Sequence, residues 1–200
     1  GIEGFNRKYF DIISKTDDEI VLSYYSKDLE EGFPGNLELQ VRYKLDGNSL
    51  IFEYSGTSDK DTILNVTNHS YFNLGDDSIL DEYLYITTDK YAPVDEQSLT
   101  LDEVLDVQST GFDFTQPTRI GDNIDIVTVI DNNYVYENLD DKLMCQLSNN
   151  DLTLSVYSDL PDMHVFTAHN LDLDYGKNGE HYYPYEGVAL ECQFFPNGIN

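Results

Sequence analysis

Leu37, Leu39, Val41, Tyr43 and Leu45 are apolar at every second position, with Glu38, Gln40, Arg42 and Lys44 between them. A period of two suits only a chain whose successive side chains point to opposite faces of a half-buried sheet. Asp46-Gly47-Asn48 then supplies residues that tolerate positive φ, and Leu50-Ile51-Phe52-Glu53-Tyr54 resumes as a β-rich run, so a hairpin is predicted. The same grammar recurs over residues 20–25, 83–86 and 143–147, where Asn149-Asn150-Asp151 leads into another such run over 152–157. No stretch of ten or more residues carries a period of 3.6. Residues 95–107, which follow Pro93, read as loop with at most one helical turn.

Many short strands joined by polar turns predict an all-β fold, a large antiparallel β-sandwich. The chain of 200 residues has no Gly/Ser-rich or Pro-rich linker, low-complexity tract or repeat, so a single domain over 1–200 is expected. Residues 75–131 are its most loop-like and acidic part, and long ordered connections often carry function.

With 11 Lys and Arg against 38 Asp and Glu, the formal net charge is −27. Such a field repels phosphate backbones and anionic lipid, which argues against nucleic acid and membrane partners, whereas a neutral polyhydroxylated ligand is indifferent to it. A hydrophobic share of 40%, with 16 Tyr and 10 Phe, is too rich for a disordered acidic chain. Cys145 and Cys192 make no disulfide framework, so reduced thiols in a cytoplasmic protein are expected. No run approaches the 18 or more apolar residues of a membrane span, and residues 1–5 lack the order of a secretory signal. The acidic pairs Glu30-Glu31, Asp76-Asp77 and Asp140-Asp141 read as solvated loops.

Three stretches pack polar, functional residue types among apolar ones. In Asn65-Val66-Thr67-Asn68-His69-Ser70-Tyr71-Phe72-Asn73-Leu74, a strand would put Thr67, His69 and Tyr71 on one face, setting a titratable imidazole beside a ring. Gly187-Val188-Ala189-Leu190-Glu191-Cys192-Gln193 places a carboxylate inside a run suited to a buried strand. Burial raises a carboxyl pKa toward the range a general base needs, and few cations exist here to pair it. Val129-Ile130-Asp131-Asn132-Asn133-Tyr134 combines a carboxylate and amides with an aromatic ring, the chemistry of sugar recognition, although an ordinary Asx turn between two strands is the better account of that segment alone. His164, His169 and His181 fall in no metal-ligand spacing.

At these same residues the sequence resembles the aldose 1-epimerase family. Asn68-His69-Ser70-Tyr71-Phe72-Asn73-Leu74 matches its most recognisable motif, and the resemblance implies that His69 is the general acid. Asp131-Asn132-Asn133-Tyr134-Val135 is similar to the segment whose Asp binds sugar hydroxyls, and Ala189-Leu190-Glu191-Cys192-Gln193 to the one whose Glu is the general base. Gly4-Phe5-Asn6-Arg7-Lys8, Glu31-Gly32-Phe33-Pro34-Gly35-Asn36-Leu37 and Phe112-Asp113-Phe114 follow the family's order too, so the likeness runs over essentially all 200 residues.

The resemblance implies a galactose mutarotase-like supersandwich that interconverts the anomers of a free hexose such as galactose or glucose, needing no metal or other cofactor. Asn68, Tyr71, Asp131 and His164 would bind substrate. In the family, a second substrate-contacting His and an Arg fall upstream of residue 1, and further strands follow residue 200. An internal fragment, incomplete at both ends, is therefore expected. The family usually carries Gly, Gln and Asn where this chain has Asp162, His164 and His169. A non-catalytic sugar-binding module on the same scaffold and a hexose-6-phosphate 1-epimerase stay open, as does homodimerisation.

Overall fold

Strand pairing in the chain is antiparallel throughout the described residues, which are 2–75, 77–136 and 142–199 of a computed structural model. Two compact units are present, Gly1–Val66 and Thr67–Asn200.

The first unit is a four-stranded meander of β1 (Asp11–Lys15), β2 (Glu19–Ser26), β3 (Leu37–Asp46) and β4 (Ser49–Ser58), paired in chain order. The alternating run is the central strand β3, and the period of two works as expected: Leu37, Leu39 and Val41 are buried while Glu38 is exposed. Opposite charges face each other across the ladder, since Arg42 lies opposite Glu53 and also bonds Glu19 Oε2, with Nη2 2.7 Å away. Asp46 pairs with Ser49, which leaves Gly47 and Asn48 as a two-residue loop, and Gly47 takes φ +59°. A glycine at the first central position is what such a hairpin loop demands. Glu30, expected in a solvated loop, instead sits in a 3₁₀ turn with its carboxylate 2.8 Å from Lys8 Nζ, and the Lys8 ammonium holds its pKa down at about 2.

The second unit contains two sheets. One runs β5-β14-β13-β10-β7-β8, from β5 (Tyr71–Phe72), β7 (Lys90–Ala92), β8 (Leu105–Asp106), β10 (Asp131–Val135), β13 (Asp162–Phe166) and β14 (Val188–Gln193). The other runs β12-β11-β6-β9, from β6 (Tyr83–Ile86), β9 (Thr118–Arg119), β11 (Lys142–Ser148) and β12 (Thr153–Ser158). Tyr134, Met163, Val165, Val188 and Leu190 of the first sheet form one buried cluster with Leu84, Ile86, Cys145 and Leu147 of the second, closed by Ile79, Phe114, Ile120 and Ile130. The Tyr134 hydroxyl, deep in that cluster, donates to the Phe112 carbonyl at 2.9 Å, as a buried phenol must. The all-β expectation is borne out.

Three local expectations change. A helix, α1 (Ile120–Val127), exists, and its eight residues were too few to show a period. Residues 95–107 hold no helical turn; they form a tight turn in which the Asp95 carboxylate accepts the amide protons of Gln97 and Leu99, and they end in β8. Residues 67–70 are not in a strand, which begins only at Tyr71. Asp77 is exposed as expected; Asp76, Asp140 and Asp141 lie outside the described residues.

Replacing Gly47 by Ala in the full-length protein is expected to cost about 1 kcal/mol in chemical denaturation, the penalty of a β-carbon in the left-handed region. No atom lies within 4 Å of where that carbon would stand, so the loss is one of backbone alone.

Candidate functional site

Strands β10, β13 and β14 run side by side with Asn133 opposite His164 and His164 opposite Glu191. Two residues along, Asp131 pairs with Phe166, Phe166 with Ala189, and Ala189 with Tyr71 of β5. Side chains alternate along a strand and agree across a ladder. Asp131, Asn133, His164, Phe166, Glu191 and Tyr71 therefore share one face of the sheet, while Tyr134, Met163, Val165 and Leu190 turn the other way into the core. A polar face backed by a packed apolar one is a stiff platform for chemistry.

On that face stand two imidazole–carboxylate pairs. His69 Nε2 lies 3.4 Å from Glu191 Oε1; the histidine is half exposed, whereas Glu191 retains only 6% of its surface. Burial pushes the Glu191 carboxyl above its ordinary range and nearby Asp131 adds to the rise, against the pull of His69 and His164. His164 Nε2 lies 2.8 Å from Asp131 Oδ1, a distance at which the nitrogen donates and the carboxylate accepts. Burial also acts on Asp131, but the His164 hydrogen bond, the His164 and His169 ring charges and the Ser98 hydroxyl together outweigh it and hold this carboxyl below the usual range. The two acids are thus driven apart in proton affinity by their surroundings, the pattern of sites that divide acid and base work.

Around the pairs lies an aromatic rim. The His69 ring sits 5.1 Å from Tyr71 and 6.4 Å from Phe166, and Phe166 meets Tyr71 at 6.2 Å and His169 at 5.5 Å, mostly edge to face. Burial, with Glu191 and Asp131 nearby, raises the Tyr71 pKa, so its hydroxyl stays a donor.

The structure brings His69, Tyr71, Asp131, His164 and Glu191 together as the sequence suggested. His69 and Tyr71 meet although residues 67–70 form no strand: the Asn68 side-chain oxygen accepts the Ser70 amide proton at 3.1 Å, so Asn68 shapes the bend that carries His69. Asp131 opens a strand rather than an Asx turn.

Sequence reasoning missed two neighbours, Phe166 and Ser98, and gave a third, His169, no place in the site. Phe166 lies in a segment that reads as polar loop, and only register turns it onto this face. Ser98, at φ +58°, is delivered by the tight turn after β7. His169 follows β13, its Nδ1 buried with no hydrogen-bond partner among the described residues. The Asx pattern at Asp95 was the sole signal for the turn; nothing in sequence told its destination.

Fold and face together define a β-sandwich with two imidazole–carboxylate pairs and an aromatic rim gathered on one polar sheet face. The family model for aldose 1-epimerase matches residues 2–200, and the chain belongs to that family. It is 35% identical over 190 residues to the galactose mutarotase of Sus scrofa, covering 90% of this chain and 56% of that protein. It is 34% identical over 214 aligned positions to the aldose 1-epimerase of Haemophilus influenzae, covering 100% of this chain and 62% of that one. Among solved structures, an aldose epimerase homologue from C. elegans superposes with TM-score 0.92 at 26% identity, over 100% of this chain and 63% of that one. The galactose 1-epimerase of Lactobacillus acidophilus superposes with TM-score 0.83 at 30% identity, over 96% and 59%. The fold is the galactose mutarotase-like β-sandwich, and the chain spans just over half the length of its mammalian relatives.

Because the folded Glu191 pKa lies above the unfolded one, its contribution to stability is fully present below the unfolded value and is lost as pH rises through the folded value. Glu191→Gln in the full-length protein is therefore expected to raise the denaturation midpoint at pH 8 and to leave it unchanged near pH 3. A lower midpoint at pH 8 would mean that pairing with the imidazoles outweighs burial.

Proposed function

We propose that this chain is the carbohydrate-handling part of an aldose 1-epimerase acting on a free hexose such as galactose or glucose. The observation that carries the reading is the contact between His69 Nε2 and Glu191 Oε1. Opening a cyclic hemiacetal removes a proton from the C1 hydroxyl and adds one to the ring oxygen. Those two oxygens share one carbon, so the acid and the base must stand side by side, as these do.

Glu191, ionised, takes the C1 hydroxyl proton while His69, as imidazolium, protonates the ring oxygen; the C1–O5 bond breaks and an open-chain aldehyde forms. After rotation about C1–C2 the roles reverse, the ring oxygen adds to the other face of the carbonyl, and both protons return. No net proton or electron is exchanged, and two titrating groups suffice. Asp131, with Tyr71 and His164, would hold sugar hydroxyls so that the open chain stays bound during rotation. Tyr71 and Phe166 offer ring surface to the apolar sugar face. Asn68 would act near the substrate through the bend that carries His69.

The two units would belong to one carbohydrate-handling domain over 1–200, a reading supported by the family match running unbroken across both. A cytoplasmic setting accords with Cys145 and Cys192, which stand unpaired. A phosphorylated substrate is disfavoured because Arg119 and Arg42, two of the three arginines, are already engaged by carboxylates.

Polarimetry of freshly dissolved α-D-galactose and α-D-glucose tests the proposal. The full-length protein should accelerate the decay of rotation, and Glu191→Gln and His69→Ala should each lose about 10²–10⁴ of that acceleration. Near-normal turnover in either variant would refute the assignment, and saturable sugar binding without acceleration would favour a binding module.

A further inference from the structure

His164 occupies the centre of the polar face in a way that binding a sugar hydroxyl does not require. Its ring nitrogen bonds Asp131 on one neighbouring strand, and its backbone position lies directly opposite Glu191 on the other. Side chains directly opposite in an antiparallel pair have β-carbons about 5 Å apart. One titratable ring is thus set between the two carboxylates of the site, 17% exposed, with the medium too poor in water to screen it fully.

The other groups facing it are known from each element. Strand β10 presents Asp131 and the uncharged Asn133, and β14 presents Glu191 and Gln193, whose side-chain amide donates to Asn133 at 3.2 Å. On its own strand, Asp162 interacts with Asn133 and is pushed up in pKa by burial. The segment after β13 contributes His169, the segments at and before β5 contribute Tyr71 and His69, and the turn after β7 contributes Ser98. His69 must give up its charge during the reaction proposed above. His164 makes its hydrogen bond to Asp131, outside that proton path.

Resting on the epimerase reading, we propose that His164 is a positioning residue whose charge keeps both Glu191 and Asp131 ionised, extending turnover toward acid pH. A neutral donor at this position could hold Asp131 equally well by hydrogen bonding. Only a cation also opposes the burial that drives a proton onto Glu191, and both carboxyls feel the His164 ring in that sense.

The test is the pH profile of kcat for the full-length protein and His164→Gln, with Glu191→Gln as reference, together with carboxyl ¹³C titration of Glu191. Glutamine retains a donor of similar reach and removes the charge. The acidic limb of kcat and the Glu191 titration are expected to move to higher pH by about one unit in His164→Gln. In the unmodified protein, the Glu191 carboxyl signal should carry a second inflection at the pH where the His164 ring nitrogens titrate. An unmoved limb, or a raised KM with the limb in place, would overturn the proposal and leave His164 a substrate contact. The titration reads the coupling without turnover or a variant; absence of that second inflection overturns the proposal as well. Turnover retained in Glu191→Gln would instead remove the epimerase mechanism, a separate result from the coupling itself.

Discussion

The ladder joining β10, β13 and β14 is the constraint on which the site depends. Five consecutive pairs hold β10 to β13 and five hold β13 to β14, so the register cannot slip by one residue without carrying every side chain to the opposite face. Such a slip would drive Asp131, His164 and Glu191 into the apolar cluster and expose Tyr134, Met163 and Leu190. The hydrophobic core therefore does more than stabilise the sheet: by demanding its own residues on one side, it places the titrating groups in line on the other.

That arrangement also sets the electrostatics. A strand buried on one face and crowded by rings on the other leaves Glu191 with little water, which raises its proton affinity, while Asp131, two strands across on the same face, is held below the usual carboxylate range by a hydrogen-bonded imidazole. Two carboxyls of the same chemistry thus differ through surroundings alone. The large acidic excess of the chain has little part in this. It lies mostly in exposed loops and strand faces, where solvent screens it, and it leaves a neutral sugar unaffected.

Much of the fold was legible. The run from Leu37 to Leu45 showed its period because β3 has one buried and one wet face, and the Gly47 turn announced itself because only a few residues take positive φ. The strands at 83–86, 143–147 and 152–157 were visible for similar reasons. Strand β13 was not read as one, since Asp162 and His164 alternate with Met163 and Val165 and look like a polar loop until both faces have known neighbours. Helix α1 was hidden by its brevity. At the site, His69, Asp131 and Glu191 stood out as polar types amid apolar runs, whereas Phe166 and Ser98 carried no mark, their role depending on which way a strand and a turn happen to face.

Sequence by itself determined the class of fold, the hairpin of the first unit and the candidates for the acid and base groups, because periodicity, turn chemistry and residue type are local properties. Tertiary structure decided which of those groups meet. The contact of His69 with Glu191 spans 122 residues of chain and that of Asp131 with His164 spans 33. It also decided the proton affinities, because desolvation and neighbouring charge belong to the packed site and have no counterpart in an extended chain.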